Sequence, residues 1–416
     1  MALNYVWIAF FLIGFVVAIC KVIFLGQTGL LAEMLNALFD AAKNGFEISI
    51  GLTGVMTLWL GIMKIGEKAG VIRVFARAVS PLFRVLFKGI PKDSPAYGSV
   101  MMNLSANMLG LDNAATPLGL KAMEELQELN PVKDTASDAQ IMFLVLNTAG
   151  ITLIPTSVIA IRQTVALEQH IQNFNAADIF LPTLIATFIA FLAGITIVSI
   201  YQRINLLRLP VILFVCGFAG LIWLLHYSLS GMPADKMNQT IGAIGSGVIL
   251  FIIVLFITAG MLKRQNVYDH FIEGAKEGFT VAVRIIPYLV GMLIAISVFR
   301  SSGCMDYLIG GISKVVALCG LRTEFVADLP IAMMKPLSGG AARGLMVDVM
   351  RHYGAASIQG KLAAVIQGST ETTFYVLAVY FGSVQVKNPR HALACGLIAD
   401  AIGITAAIVV GYMFFG

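Results

Sequence analysis

The residues best suited to chemistry stand where an apolar chain has no structural need for them. Gln367-Gly368-Ser369-Thr370-Glu371-Thr372-Thr373 is a polar or small run inside an otherwise apolar stretch. Polar groups at membrane depth are costly unless they face a cavity or other protein. The glycine and the hydroxyl residues would let a helix unwind and offer bare carbonyls. Glu371 is the acid of the run, a candidate proton carrier or cation ligand. Its structural alternative is a hydrogen bond to a neighbouring turn. A second break, Asn147-Thr148-Ala149-Gly150-Ile151-Thr152 followed by Pro155-Thr156, carries no charge. Asn147 and Thr148 could bond a solute, or their backbone could coordinate Na⁺. The plainer reading is a proline-kinked helix whose threonines satisfy freed carbonyls.

Two more stretches, about 94–123 and 327–350, are apolar at their ends and polar in the middle. The first offers Asn103, Ser105, Asn107, Asp112, Asn113 and Thr116. The second offers Lys335, Ser338, Gly339, Gly340 and Arg343. Ser-Gly-Gly permits close backbone approach and points amides at an anionic group. Lys335 and Arg343 would attract a carboxylate or phosphate, or neutralise Glu371, Asp348 or Asp112. Asp400, a lone acid in the last apolar run, is with Glu371 a candidate for coupling. Arg284 is its possible partner, although snorkelling to the surface is the simpler role. Cysteines and histidines lack metal-ligand spacing, so no metal site is expected. H-E-x-x-H, G-x-S-x-G and G-x-x-x-x-G-K-[ST] are absent, so neither an enzyme nor a nucleotide cofactor is expected. The coupling ion would be Na⁺ or H⁺.

These residues need elements to hold them, and composition names the medium. The chain has 416 residues, 58% hydrophobic and only 12% charged, with a net charge of +5. A soluble domain carries roughly twice that charge fraction, so the excess apolar surface needs lipid. No basic tract with interleaved aromatics suggests nucleic acid. The first 24 residues lack a basic start and a cleavage site, and read as a retained helix. Apolar runs at about 3–25, 46–65, 138–161, 179–200, 209–228, 240–262, 280–300, 361–383 and 391–415 are each long enough to span a bilayer. The stretches at 94–123 and 327–350 read as re-entrant hairpins whose tips enter protein or a watery cavity. Before each lies an amphipathic segment, about 67–88 and 302–319, suited to the membrane interface. The first places Arg73, Arg77, Arg84 and Lys88 mostly along one face.

The chain also repeats itself. Ala42-Lys43-Asn44-Gly45-Phe46 recurs as Ala275-Lys276-Glu277-Gly278-Phe279, and Met101-Met102-Asn103 as Met333-Met334-Lys335. The two breaks align, and Gly194-Ile195-Thr196 matches Gly403-Ile404-Thr405. An odd number of spans separates the copies, so the second is inverted. The expectation is an all-α integral membrane protein of about nine transmembrane helices plus two re-entrant helical hairpins in two inverted repeats. The first repeat covers 1–205, a connecting helix 206–235 and the second repeat 236–416. An excess of Lys and Arg on one side puts the N-terminus in the cytoplasm and the C-terminus outside.

The stretch NLSANMLGLDNAATPLGLKAMEELQ resembles spore maturation protein A, and KPLSGGAARG with QGSTETTFYVLAVYFGSV resembles spore maturation protein B. The resemblance covers nearly the whole chain, as a fusion of the two. Both halves are similar to the nucleoside recognition, or gate, domain, which also occurs in concentrative nucleoside transporters and the bacterial ferrous iron permease. The resemblance implies a bacterial inner-membrane protein with paired hairpins and part-unwound helices. The expected function is an ion-coupled secondary transporter working by alternating access. Its partners would be the lipid bilayer and a small polar solute that is nucleoside-like, amino-acid-like or a carboxylate. A homo-oligomer is compatible with this. The alternatives are a passive channel or a non-transporting component of an envelope or spore maturation assembly.

Overall fold

Seventeen α-helices form the described part of the chain. The computed structural model describes residues 2–91, 94–110, 112–229 and 234–416. The side chains of Asp112, Asn113 and Arg284 lie outside what is described, so their expected roles are not assessed. The first half holds α1 (Ala2–Leu25), α2 (Leu30–Lys68), α3 (Val71–Leu86), α4 (Pro95–Met108), α5 (Asp112–Glu128), α6 (Asp138–Thr148), α7 (Thr156–Glu168) and α8 (Phe180–Gln202). A connecting helix, α9 (Leu209–Leu229), follows. The second half holds α10 (Ala234–Leu262), α11 (Val267–Ser301), α12 (Cys304–Leu318), α13 (Leu329–Met334), α14 (Gly339–Tyr353), α15 (Ile358–Ser369), α16 (Thr373–Ser383) and α17 (Ala392–Phe415). Among the described residues the extended structure is one isolated bridge, Thr135 to Asn388.

Six of these helices are long and apolar enough to cross a membrane, among the described residues. The other three expected spans, at 138–161, 209–228 and 361–383, are not among these six. The runs at 138–161 and 361–383 each divide, into α6 and α7 and into α15 and α16, because their polar centres leave the helix. The apolar run in α9, Leu209–Leu225, is shorter than the six. The runs at 46–65 and 280–300 are the ends of longer helices that begin at Leu30 and Val267. The polar and charged residues spread through their first halves, such as Glu33, Asn36, Asp40 and Lys43 in α2 and Asp269, Glu273, Lys276 and Glu277 in α11, had hidden those starts. The amphipathic expectation for α3 holds: Arg73, Arg77 and Arg84 are exposed, while Ile72, Ala76, Leu82, Phe83 and Leu86 are buried.

The two halves are locked by reciprocal contacts. Helices α2 and α11 run antiparallel along their lengths. Gly45 of α2 packs on Val290 and Leu293 of α11, and Gly278 of α11 packs on Met56 and Thr57 of α2. Those two glycines hold the same place in the repeated word, so the word marks a crossing used twice. Helices α8 and α17 cross in the same manner. Gly194 packs on Ala399 and Gly403 packs on Ala190, each alanine standing four residues before the partner glycine's equivalent. If residue i touches j, the equivalent of j touches the equivalent of i, which is what a two-fold axis between inverted repeats requires. Small residues serve because helix association in lipid depends on close backbone approach.

This crossing yields a direct test. A Cβ on Gly278 would stand 2.7 Å from Met56 O and from Thr57 Cα, which are main-chain atoms that cannot step aside. Gly278→Val is expected to cost about 1–3 kcal/mol through overpacking. Gly247, with nothing within 4 Å of its Cβ position, supplies the tolerant control. Thermal unfolding of both variants in detergent checks the order, and equal midpoints would remove the crossing from the account.

Each end of the second contact layer is also clasped. At one end the α7–α8 linker meets the turn before α15. Arg162 pairs with Asp178, Lys361 Nζ lies 3.1 Å from Asp178 Oδ2, and Gln169 donates to Met350 O at 2.8 Å. At the other end the α16–α17 linker meets the loop between α5 and α6. Lys387 N and Asn388 N donate to Asp134 O at 2.8 and 2.9 Å, and Ala136 N donates to Asn388 O at 2.9 Å. The places are equivalent in the two repeats, but one clasp is ionic and the other mainly amide.

Candidate functional site

Four discontinuities meet between the halves. Helices α6 and α15 start alike, on Ser137 and Ser357, whose hydroxyls accept from the amides of Gln140 and Gly360 at 3.3 and 3.0 Å. These caps satisfy amides that a helix start leaves open. Both helices then stop part-way through their apolar runs, at Thr148 and Ser369. Pro155 and the extended backbone of Thr370 and Thr372 separate them from α7 and α16. The breaks touch, since Glu371 N donates to Thr148 O at 2.8 Å. Each break also reaches the turn of its own hairpin. Leu153 N donates to Met108 O at 2.8 Å, and Phe374 N donates to Pro336 O at 3.0 Å. Main-chain groups freed by the unwinding are thus paired across elements, as burial demands.

Helices α4 and α5 form the first hairpin. Asn103, fully buried, donates from Nδ2 to Ala115 O at 2.8 Å and to Tyr380 Oη at 3.4 Å. Its Oδ1 and the Ser105 hydroxyl are buried without a partner. Asn107 Nδ2 donates to Asn147 Oδ1 at 2.5 Å, while Asn147 Nδ2 donates to Phe143 O at 2.9 Å. Thr148 returns its hydroxyl to Leu144 O at 3.1 Å. Thr116, half-buried, lies on α5 next to Ala115, whose carbonyl accepts from Asn103. Helices α13 and α14 form the second hairpin. Ser338 caps α14 by accepting from Ala341 N at 3.2 Å, which uses the hydroxyl locally. Lys335 is buried at the end of α13, and Arg343 is half-buried on α14.

Charges fall differently from expectation in two respects. Glu371 lies in the break as expected, but its side chain is exposed on the protein surface, and the residue that meets the second turn is Thr372. A Cβ on Gly339 would stand 2.7 Å from Thr372 Oγ1. The extended backbone at Thr370 turns the next side chain outward, a reversal that helical periodicity cannot give. Asp348 pairs with Arg300 of α11, a partner the sequence had not suggested for it.

Asp400 is the buried acid of the region, 1% exposed. Its Oδ2 accepts from Thr373 Oγ1 at 2.5 Å, and its Oδ1 has no hydrogen-bond partner. The Thr370 hydroxyl approaches the same carboxyl without reaching hydrogen-bond geometry. Lys335 and Glu371 are close enough for their charges to act on it. Gln367 Oε1 and Thr183 Oγ1 are further buried oxygens without partners near this break, Thr183 packing on Gly368. Ser369 is satisfied by Ile366 O at 2.8 Å. Thr183 and Tyr380 were not singled out as site residues from sequence, and Thr373 only as the end of the polar run. Thr183 and Tyr380 sit in apolar helices where nothing local marks them.

Comparison with known proteins places these parts. A family model described as nucleoside recognition, Gate, matches residues 49–164 and 282–387, together more than half of the chain. The chain belongs to the nucleoside recognition (Gate) family. Spore maturation protein B of Bacillus subtilis is 44% identical over 178 residues, 43% of this chain and 98% of that protein. Spore maturation protein A of the same organism is 42% identical over 194 residues, 47% of this chain and 92% of that protein. This pattern is consistent with a fused A/B protein. Inner membrane protein YjiG of Escherichia coli K12 is 37% identical over 79 residues, 19% of this chain and 50% of that protein. Such relatives and the apolar helices mark a multi-pass membrane protein. The Gate segments include both breaks and both hairpin turns, whereas Asp400 and Thr183 come from α17 and α8 outside them. The Gate halves therefore meet a carboxylate that the matched segments do not supply.

Proposed function

We propose that this protein is a secondary transporter that moves a small polar solute across the bacterial inner membrane by alternating access. The observation that carries this reading is the meeting of two broken helices, joined from Glu371 N to Thr148 O beside the buried, half-satisfied carboxyl of Asp400. Inverted repeats with discontinuous helices bind solutes and coupling ions at such places. In this reading α6–α7 and α15–α16 each cross as one broken span, and with α9 they complete nine crossings. The hairpins α4–α5 and α13–α14 are re-entrant, entering from opposite faces. The N-terminus is cytoplasmic and the C-terminus lies outside. Asn103, Asn107, Asn147, Thr148, Gln367, Thr370 and Thr372 line the solute's place, and Lys335 favours a solute with an anionic or carbonyl group. The Gate description supports a nucleoside-related solute. A Na⁺ or H⁺ gradient drives the cycle, with no bound cofactor.

Purified protein in liposomes tests this. Radiolabelled nucleosides, amino acids and carboxylates are offered with and without imposed Na⁺ and H⁺ gradients. Accumulation of one solute that collapses with the gradient is expected. Flux that ignores both gradients would mean a passive channel, and no flux of any solute would favour a non-transporting role in an envelope or spore maturation assembly.

A further inference from the structure

The inverted repeat contains its own control for the surface of α3. Helix α12 precedes the second hairpin as α3 precedes the first, so the two are equivalent and face opposite membrane surfaces in an inverted pair. Both bury one side. Their exposed sides differ completely in charge. Helix α3 exposes Arg73, Arg77 and Arg84, and Lys88 follows it. No Asp or Glu occurs from residue 69 to 91. Helix α12 exposes Tyr307, Leu308, Val315 and Leu318, with one acid, Asp306, and one base, Lys314. Folding of the repeat therefore does not need the basic face.

That face extends beyond α3. Lys88 Nζ donates to Arg203 O at 3.3 Å, joining it to the loop between α8 and α9, where Arg203 and Arg208 are exposed. No acid occurs from 201 to 212 either. None of these cations forms an ion pair with a carboxylate among the described residues. The aliphatic stems are accompanied by exposed Val74, Leu207 and Leu209, apolar side chains beside the charges. A helix with one buried face, a cationic face and exposed apolar neighbours fits the zone of phosphate headgroups. We infer that α3 and the α8–α9 loop form a docking surface for anionic phospholipid on one leaflet, which the equivalent surface at α12 does not reproduce.

The test uses the full-length protein. It is equilibrated with phosphatidylglycerol or phosphatidylcholine of matched chains, and retained lipid is counted by native mass spectrometry. Wild-type protein should retain phosphatidylglycerol about tenfold more tightly, since each cation near an anionic surface contributes appreciably. R73Q/R77Q/R84Q should remove most of that preference, and K314Q at α12 should leave it intact. Raising salt to about 0.5 M should also weaken it in the wild-type protein, because exposed charges are screened. That arm stands even if the triple variant fails to fold. Equal retention of the two lipids by wild type, or the same preference in a folded triple variant, overturns the proposal.

Discussion

Asp400→Asn is expected to insert and purify like the unmodified protein and to lose gradient-driven uptake by about tenfold or more. The substitution keeps the shape of the side chain and an oxygen that can accept from Thr373 Oγ1. It removes the one buried acid beside the second break. A buried carboxyl oxygen without a protein partner is costly, and this one lies beside the break where the proposed solute would bind. A tenfold loss corresponds to about 1.4 kcal/mol of lost coupling. Uptake at matched expression, read beside the thermal midpoint, separates loss of coupling from loss of fold. Glu371→Gln is the companion variant. Because the Glu371 side chain is exposed, its effect on uptake should be smaller than that of Asp400→Asn. The reverse order would return the coupling role to Glu371.

Arg162→Ala should produce the largest loss of stability, about 3–5 kcal/mol, as expected when one member of a buried ion pair is removed. The Arg162 side chain is fully buried. It serves Asp178, Ala176 O at 2.8 Å and Ala355 O at 3.4 Å, and lies over the ring of Phe174 at 4.9 Å. Removing it strands acceptors from both halves at once. Arg162→Lys keeps the charge but lacks the planar fork, so an intermediate loss is expected. Arg351→Ala breaks a partly exposed pair with Glu168 and should cost no more than about 1 kcal/mol. Detergent melting curves of the three variants test the ranking. If Arg162→Ala and Arg351→Ala fell together, the buried clasp would not be what holds that end closed.

Much of this arrangement was legible in the chain itself. The repeated Ala-Lys-x-Gly-Phe word marked the α2–α11 crossing, because both glycines occupy the same close approach. The polar runs at 147–152 and 367–373 marked the breaks, because polar groups do not persist in hydrocarbon without a reason. The family resemblance came from both hairpins and the second break, and agrees with the matched Gate segments. What escaped was whatever depends on direction or distance. The outward turn of Glu371 follows from an extended residue before it. The Arg162–Asp178–Lys361 cluster joins positions far apart in sequence, and its only local mark was an arginine in the apolar run of α7. Thr183 and Tyr380 look like ordinary helix residues until another element is packed against them.

The bonds that knit the centre run between main-chain atoms: Glu371 N to Thr148 O, Leu153 N to Met108 O and Phe374 N to Pro336 O. Every amino acid except proline, which lacks the N–H, can supply such a donor. Mutation can therefore rewrite the side chains at those three donor positions without cutting the joints. The main-chain joints at the centre therefore tolerate changes of side chain that the side-chain bonds from Thr373 to Asp400 and from Asn107 to Asn147 do not.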